Sequence, residues 1–245
     1  MEQEIWVAGA DGCPAGWLVV LRDWHLKRPP SARIVATFAD ILALPEAPQV
    51  IAIDMPIGLP EHTTVGGRAP DIAARAKLGK RQSSVFAVPS RRAVMAEDYA
   101  TACSIALETS EPPRKISKQT WQLFPRIREI DAAMTPALQT RVFECHPELV
   151  FWAMNGARPL DEPKKVKSRP HEPGLTLRRS LLTRAGYPPP FLADTQFRPS
   201  AAGHDDFLDA CACAWTAGRI LAGTAHTFPP EPPLDARGLR QEIKA

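Results

Sequence analysis

Residues 204–219 read HDDFLDACACAWTAGR, three acids at the head of a segment otherwise made for burial. At 100° per residue, Asp206, Asp209, Ala210, Cys213 and Ala217 share one face of a helix spanning 205–222. Beyond the acids that face carries only small side chains, which lets a helix approach a sheet closely. The same face then carries Asp206 and Asp209 toward the strand ends. Phe207, Cys211 and Trp215 lie on another side and are expected to pack elsewhere. Such a helix implies a sheet beneath it, and the rest of the chain supplies the strands.

Residues 5–10, IWVAGA, are apolar on both alternating faces, the pattern of a central strand covered on both sides. Asp11-Gly12 opens a turn region, and 17–22, WLVVLR, reads as the returning strand of a hairpin. Residues 33–38 form a third strand. The run 50–53, VIAI, is a fourth, ended at Asp54-Met55-Pro56, where proline denies the sheet a donor. Residues 141–145 read as a fifth. Helices are expected at 39–44, 70–78, 91–109, 117–134, from Pro147 to a stop at Gly156, and at 175–185. In 117–134, Phe124, Ile127, Ile130 and Met134 recur at helical spacing, and Pro125 should kink or start the helix. The Pro- and Lys/Arg-rich stretch 158–173 reads as a loop or lid, and 188–199 as a second Pro-rich loop. The Pro-rich tail 229–245 is expected to be poorly ordered. No internal repeat is visible. The order of elements is that of an α/β protein with a mixed sheet.

The totals agree. A chain of 245 residues, 44% apolar and 23% charged, suits a soluble globular protein with a sizeable core. Twenty-six prolines imply long, stiff loops, and a net charge of +3 permits an anionic partner without demanding one. Five cysteines without regular spacing read as small core residues in a reducing compartment. The acidic start MEQEIW shows no signal peptide, and no run reaches the ~18 apolar residues of a membrane span. The expectation is a cytoplasmic protein with no membrane partner.

Asp11 follows one buried strand, Asp54 follows another, and Glu144 lies near the end of a third. Sites in open α/β sheets gather at the carboxyl ends of strands. Grouped carboxylates cannot all ionise without a counter-charge. A divalent ion such as Mg²⁺ or Mn²⁺ removes the conflict, since hard cations take carboxylate oxygens and accept phosphate oxygens. Two such ions ~3.5–4 Å apart would activate a water and stabilise the leaving oxygen in phosphodiester cleavage. Plainer readings exist for each acid. Carboxylates in a first helical turn complement the dipole, Asp11-Gly12 also fits a simple turn, and Glu144 also suits an arginine partner. Glu148 reads as a helix cap, and His146 as a packed or capping residue.

Five blocks carry a family resemblance: GADGCPAGW (9–17), IDMPIGLP (53–60), LGKRQSSVFAVPSR (78–91), ISKQTWQLFPRIREID (116–131) with FECHPE (143–148), and HDDFLDACACAWTAGR (204–219). Together they resemble the uncharacterised prokaryotic family catalogued as domain of unknown function 429, whose members are predicted to be RNase H-like nucleases. The resemblance implies an RNase H-like fold: a mixed five-stranded sheet, three antiparallel strands then two parallel ones, flanked by helices. One such domain would span 1–228, with a helical insertion at about 66–138. The last block is also similar to the Asp-x-x-Asp-Ala of the closing helix in RuvC-type junction resolvases. By that likeness Asp11 is the first-strand acid, Asp54 the fourth-strand acid, and Asp206 and Asp209 the closing-helix acids. Asp205 is an extra acid of open role, and Glu144 is a further acid in a less usual place.

The mechanism this implies is a metal-dependent nuclease, with Asp11, Asp54 and Asp209 anchoring the metal, Asp206 assisting, and water as nucleophile. Basic segments at 75–92 and 164–184 suit a phosphate backbone. Lys80, Arg81, Lys118, Lys164 and Lys165 are candidate phosphate contacts, and Ser83, Ser84 and Gln119 are further donors, against the usual fate of such runs as solvated surface. No finger, helix-turn-helix or aromatic stacking motif appears, so nucleic acid would be read by shape and backbone. Two other readings remain open. One is a phosphotransferase or ATPase of the sugar-kinase and actin type, disfavoured because one set of strands leaves no room for a duplicated core. The other is a non-catalytic binding or scaffold protein on the same fold.

Overall fold

The computed structural model describes residues 4–167, 169–193 and 196–245. Residues 1–3 of the acidic start, Ser168 of the expected lid, and residues 194–195 of the second Pro-rich loop lie outside them.

Strands β1 (Trp6–Cys13), β2 (Gly16–Asp23) and β3 (Ser31–Val35) run as an antiparallel meander, and α1 (Phe38–Leu42) leads into β4 (Val50–Ile53). A long excursion follows, with α2 (Ala69–Leu78), a 3₁₀ turn at Gly79–Ser84, α3 (Arg91–Val94), α4 (Tyr99–Glu108) and α5 (Lys118–Ala133). The chain returns as β5 (Val142–Glu144) and passes through α6 (Pro147–Met154). A small hairpin follows, of β6 (Lys165–Val166) and β7 (Arg169–Pro170), then α7 (Glu172–Arg184), α8 (Pro189–Ala193) and α9 (His204–Leu221). Two short strands, β8 (Thr227–Phe228) and β9 (Ile243–Lys244), pair with each other.

The main sheet has five strands in the order β3-β2-β1-β4-β5, with β1, β4 and β5 mutually parallel. Its pleat divides the core. Val7, Val20, Val50, Ala52 and Phe143 face α6, α7 and α9, while Ala8, Ala10, Val19, Ile51 and Ile53 face α1, α4 and α5. The protein is therefore α/β, with helices on both faces of a mixed sheet.

The small-residue face of α9 does what its composition suggests. It lies on β1 at Gly9, where an added Cβ would fall 2.0 Å from the Ala214 nitrogen and 2.3 Å from the Ala210 oxygen. Only a glycine facing small residues allows this approach. Phe207 packs against Phe191, and Tyr187 donates from its hydroxyl to the Cys211 carbonyl at 2.7 Å, on the other side of the helix.

Three local expectations need correction. The helix expected over 91–109 is two helices. Asp98 accepts from the Thr101 amide at 2.9 Å and starts α4 afresh, a capping turn that breaks the run. Pro125 neither starts nor ends α5, which begins after the Ser117 cap and carries the proline on its exposed side. The Pro-rich tail is packed, not loose. Leu239 and Ile243 are buried, and the Gln139 side-chain amide donates to the Arg240 carbonyl at 2.7 Å. Asp235 pairs with Arg91 at 2.6 Å. Among the described residues no helix is long and apolar enough to cross a membrane.

Candidate metal centre

On β1 the odd positions face α9, so Asp11 points to the same side as Gly9 and Cys13. Asp54 follows β4 directly, and its amide donates to the Ala10 carbonyl at 2.9 Å, which fixes it beside β1. Asp209 stands on α9 at the end of the face that meets Gly9, with its side chain 1% exposed. Each of the three offers a carboxylate oxygen, and these oxygens all lie within 4.8 Å of one another. This buried triad could hold a metal ion.

The surroundings make that fit specific. Burial first, then the charges of Asp54 and Asp209, pushes the Asp11 carboxyl well above the carboxylate range. Burial pushes Asp54 up to about 6, with the Asp209 charge adding to it and His146 opposing. Burial also raises Asp209, against the pull of Lys164. The Lys164 ammonium contacts Asp209 Oδ2, and its own pKa rises because Asp209 and Asp11 outweigh the burial that would lower it. One ammonium facing three carboxylates leaves the cluster short of positive charge. Asp209 Oδ1 is buried with no hydrogen-bond partner among the described residues. A buried acceptor left empty is costly unless something fills it. An all-oxygen donor set suits a hard divalent cation.

Asp11 and Asp54 open onto a cleft of about 420 Å³. The opposite wall carries Ser117, Gln119, Thr120 and Arg126 from α5 and its cap, and Ser83, Ser84 and His146 complete the rim. The Arg126 guanidinium donates to the carbonyls of Cys13 and of Gly16, the latter at 3.3 Å, and lies where a Cβ on Gly12 would stand.

The remaining candidates are placed as follows. Asp206 lies outside the triad, at its edge. Its Oδ2 accepts from the Gly203 amide at 2.9 Å, which caps α9, and burial followed by the Asp205 charge raises its pKa. Asp205 pairs with Lys165 at 2.6 Å. Glu144 does not join the triad. Its two oxygens accept from Arg68 at 2.9 and 2.6 Å and from the Ile57 amide at 2.7 Å. Asp71 shares the guanidinium at 2.8 Å. This buried pairing gives Glu144 a structural role, tying β5 to the excursion after β4. Glu148 pairs with the fully buried Arg178.

Lys164 turns inward to Asp209, and Lys165, though exposed, pairs with Asp205, because the acids at the head of α9 attract both. They do not stand free for phosphate. Lys80 and Arg81 lie on the 3₁₀ turn and do not line the cleft, and the Lys118 ammonium sits 3.4 Å from the centre of the Tyr99 ring. Arg126 and Thr120 are cleft residues without a role in the sequence analysis, and His146, read there as a packed or capping residue, stands on the cleft rim. For Arg126 the available signal was Gly12, whose missing Cβ makes room for a long side chain from across the cleft.

The family model described as "Protein of unknown function (DUF429)" matches residues 9–234. The chain belongs to this family. In this DUF429 chain the match spans all three acids of the triad and every residue of the opposite cleft wall. No curated protein and no solved structure matches the chain significantly.

Proposed function

We propose that the protein is a metal-dependent hydrolase of phosphodiester bonds in nucleic acid, working in a reducing cytoplasm where its five thiols stay free. The observation that carries this reading is the triad. Asp11, Asp54 and Asp209 come from three distant segments, converge within 4.8 Å, and leave a buried carboxylate oxygen unsatisfied beside a cleft. The order of the sheet, with acids on β1, after β4 and on the closing helix, is the arrangement expected of the RNase H-like nucleases that the sequence resembles.

Asp11, Asp54 and Asp209 would hold Mg²⁺ or Mn²⁺. When bound, such an ion polarises a phosphoryl oxygen and lowers the pKa of a bound water. The chain's own residues do the rest. The buried carboxylates exclude bulk water from one side of the site. Arg126, braced by its two carbonyl acceptors, sets a fixed cation on the cleft wall to orient a phosphate. Asp206, raised in pKa at the edge of the cluster, is suited to hold a proton for the leaving oxygen.

The test is a cleavage panel with Mg²⁺ and Mn²⁺ over single- and double-stranded DNA, RNA, hybrid, junction and small phosphodiester substrates, with Asp54→Asn as blank. Metal-dependent cleavage by the native protein, lost in a folded Asp54→Asn variant, is expected. Equal activity in the variant would remove Asp54 from the mechanism, and no cleavage of any substrate would remove the activity.

A further inference from the structure

The cleft does not stop at the acids. Phe86, Ser117 and Thr120 also line a second recess of about 190 Å³ that continues from it. Alone, that volume is below the roughly 300–1,000 Å³ of a drug-sized site, and it suits a single flat ring. Its walls are apolar, with Ala106 and Ile116 buried and Phe86 at the junction. Thr63, Thr64 and Ser110 add hydroxyls, and among the described residues no acid lines it. Arg114 and Lys115 stand at its edge, both exposed, and neither forms an ion pair among the described residues.

A small, largely apolar recess edged by hydroxyls and by two exposed cations matches one nucleotide: the ring in the recess, a phosphate on the cations. We propose that this recess holds one unpaired base of a single-stranded nucleic acid whose neighbouring phosphodiester lies at the acid triad, with Arg114 and Lys115 receiving an adjacent phosphate. The proposal rests on the nuclease reading and adds to it a substrate class. A base within a duplex is stacked and paired, and entering the recess would require it to leave the helix. A single strand already offers its rings to such a surface. Continuity through Phe86, Ser117 and Thr120 is what joins the base slot to the site of the chemistry.

Binding is measured by fluorescence anisotropy in EDTA, so that no cleavage intervenes. The probes are a labelled DNA strand, an RNA strand of the same sequence, the DNA as a duplex, and an abasic sugar-phosphate strand of equal length. Both single strands are expected to bind about ten-fold tighter than the abasic strand, as one stacked base implies, and tighter than the duplex. Arg114→Glu/Lys115→Glu, two exposed changes, should remove most of that binding while leaving the melting temperature unchanged. Phe86→Ala should narrow the gap between the base-containing and abasic strands. Equal binding of duplex, single and abasic strands, or unaltered binding by the charge-reversed variant, overturns the proposal. Cleavage lost in Asp54→Asn decides the nuclease reading separately. If no substrate is cut but the base-dependent binding persists, the recess stands and the nuclease reading falls.

Discussion

Replacing Asp54 by asparagine should make the metal-free protein more stable, the reverse of what removing a buried polar partner usually does. Asp54 is raised from 3.8 to about 6 by burial and by the Asp209 charge. Its unfolded pKa is close to the ordinary ~3.9. The native state therefore holds a proton that the unfolded chain releases, and between about pH 4 and pH 6 stability falls as pH rises. Each unit of separation is about 1.4 kcal/mol, so ionising Asp54 in the folded protein costs about 3 kcal/mol above pH 6. Asparagine cannot ionise and escapes that cost. At ~2–4 °C per kcal/mol for a domain of this size, the variant should melt roughly 6–12 °C above the native protein in EDTA near pH ~8. The gap should shrink to about a third near pH ~4.5 and close only below the unfolded pKa of ~3.9, where the carboxyl is protonated in both states. Mn²⁺ at about 1,000 times its dissociation constant should reverse the order, because it then stabilises the native protein by about 4.1 kcal/mol, more than the gap, while the variant has lost a ligand oxygen. Thermal melts by circular dichroism at the two pH values, with EDTA and with Mn²⁺, read all of this. A variant that melts lower than the native protein in EDTA near pH ~8, with a gap indifferent to pH, would show that Asp54 is not held among repelling charges, and the metal centre would lose its basis.

Gly9→Ala should destabilise by about 3 kcal/mol or more, since α9 must retreat from a Cβ that would fall 2.0 Å from the Ala214 nitrogen. Urea denaturation measures it, and a cost below about 0.5 kcal/mol would mean the helix is free to shift. Lys164→Ala should cost stability in EDTA, toward the lower side of the ~3–5 kcal/mol typical of breaking a buried pair because the lysine side chain is 30% exposed. It should also tighten Mn²⁺ binding in calorimetry, since the ion no longer displaces an ammonium from Asp209. Weaker binding would make Lys164 a helper of the metal and not its competitor.

The parts of this structure that the sequence disclosed are those governed by neighbours along the chain. The run 50–53 is β4 to the residue, and the small face of α9 foretold its contact with β1. The parts it concealed depend on partners far away. Glu144 ends a buried strand just as a site acid would, and only Arg68, 76 residues distant, reveals it as one half of a buried pair. Lys164 and Lys165 belong to a basic run of the kind that lies free in solvent, until the charge at the head of α9 pairs with both and draws Lys164 in. The tail was misjudged because proline content says how a segment moves when alone. It says nothing of Arg91, Gln139 and Leu59, which hold residues 235–240 in place. The break at Asp98 was visible in principle, as an aspartate three residues before a threonine, but the apolar periodicity around it masked the cap.

The position of α9 in the chain has a consequence for biosynthesis. Strands β1 and β4 leave the ribosome early and can pair, bringing Asp11 beside Asp54, yet the sheet face at Gly9 stays bare until α9 is made. From the end of β4 until α9 is made, the nascent polypeptide thus carries an uncovered apolar surface and two carboxylates without Asp209 to complete them. Such an intermediate is a natural client for holding chaperones. A message truncated before α9 would yield a product lacking Asp209 of the acid triad, marked for proteolysis by the surface it cannot hide.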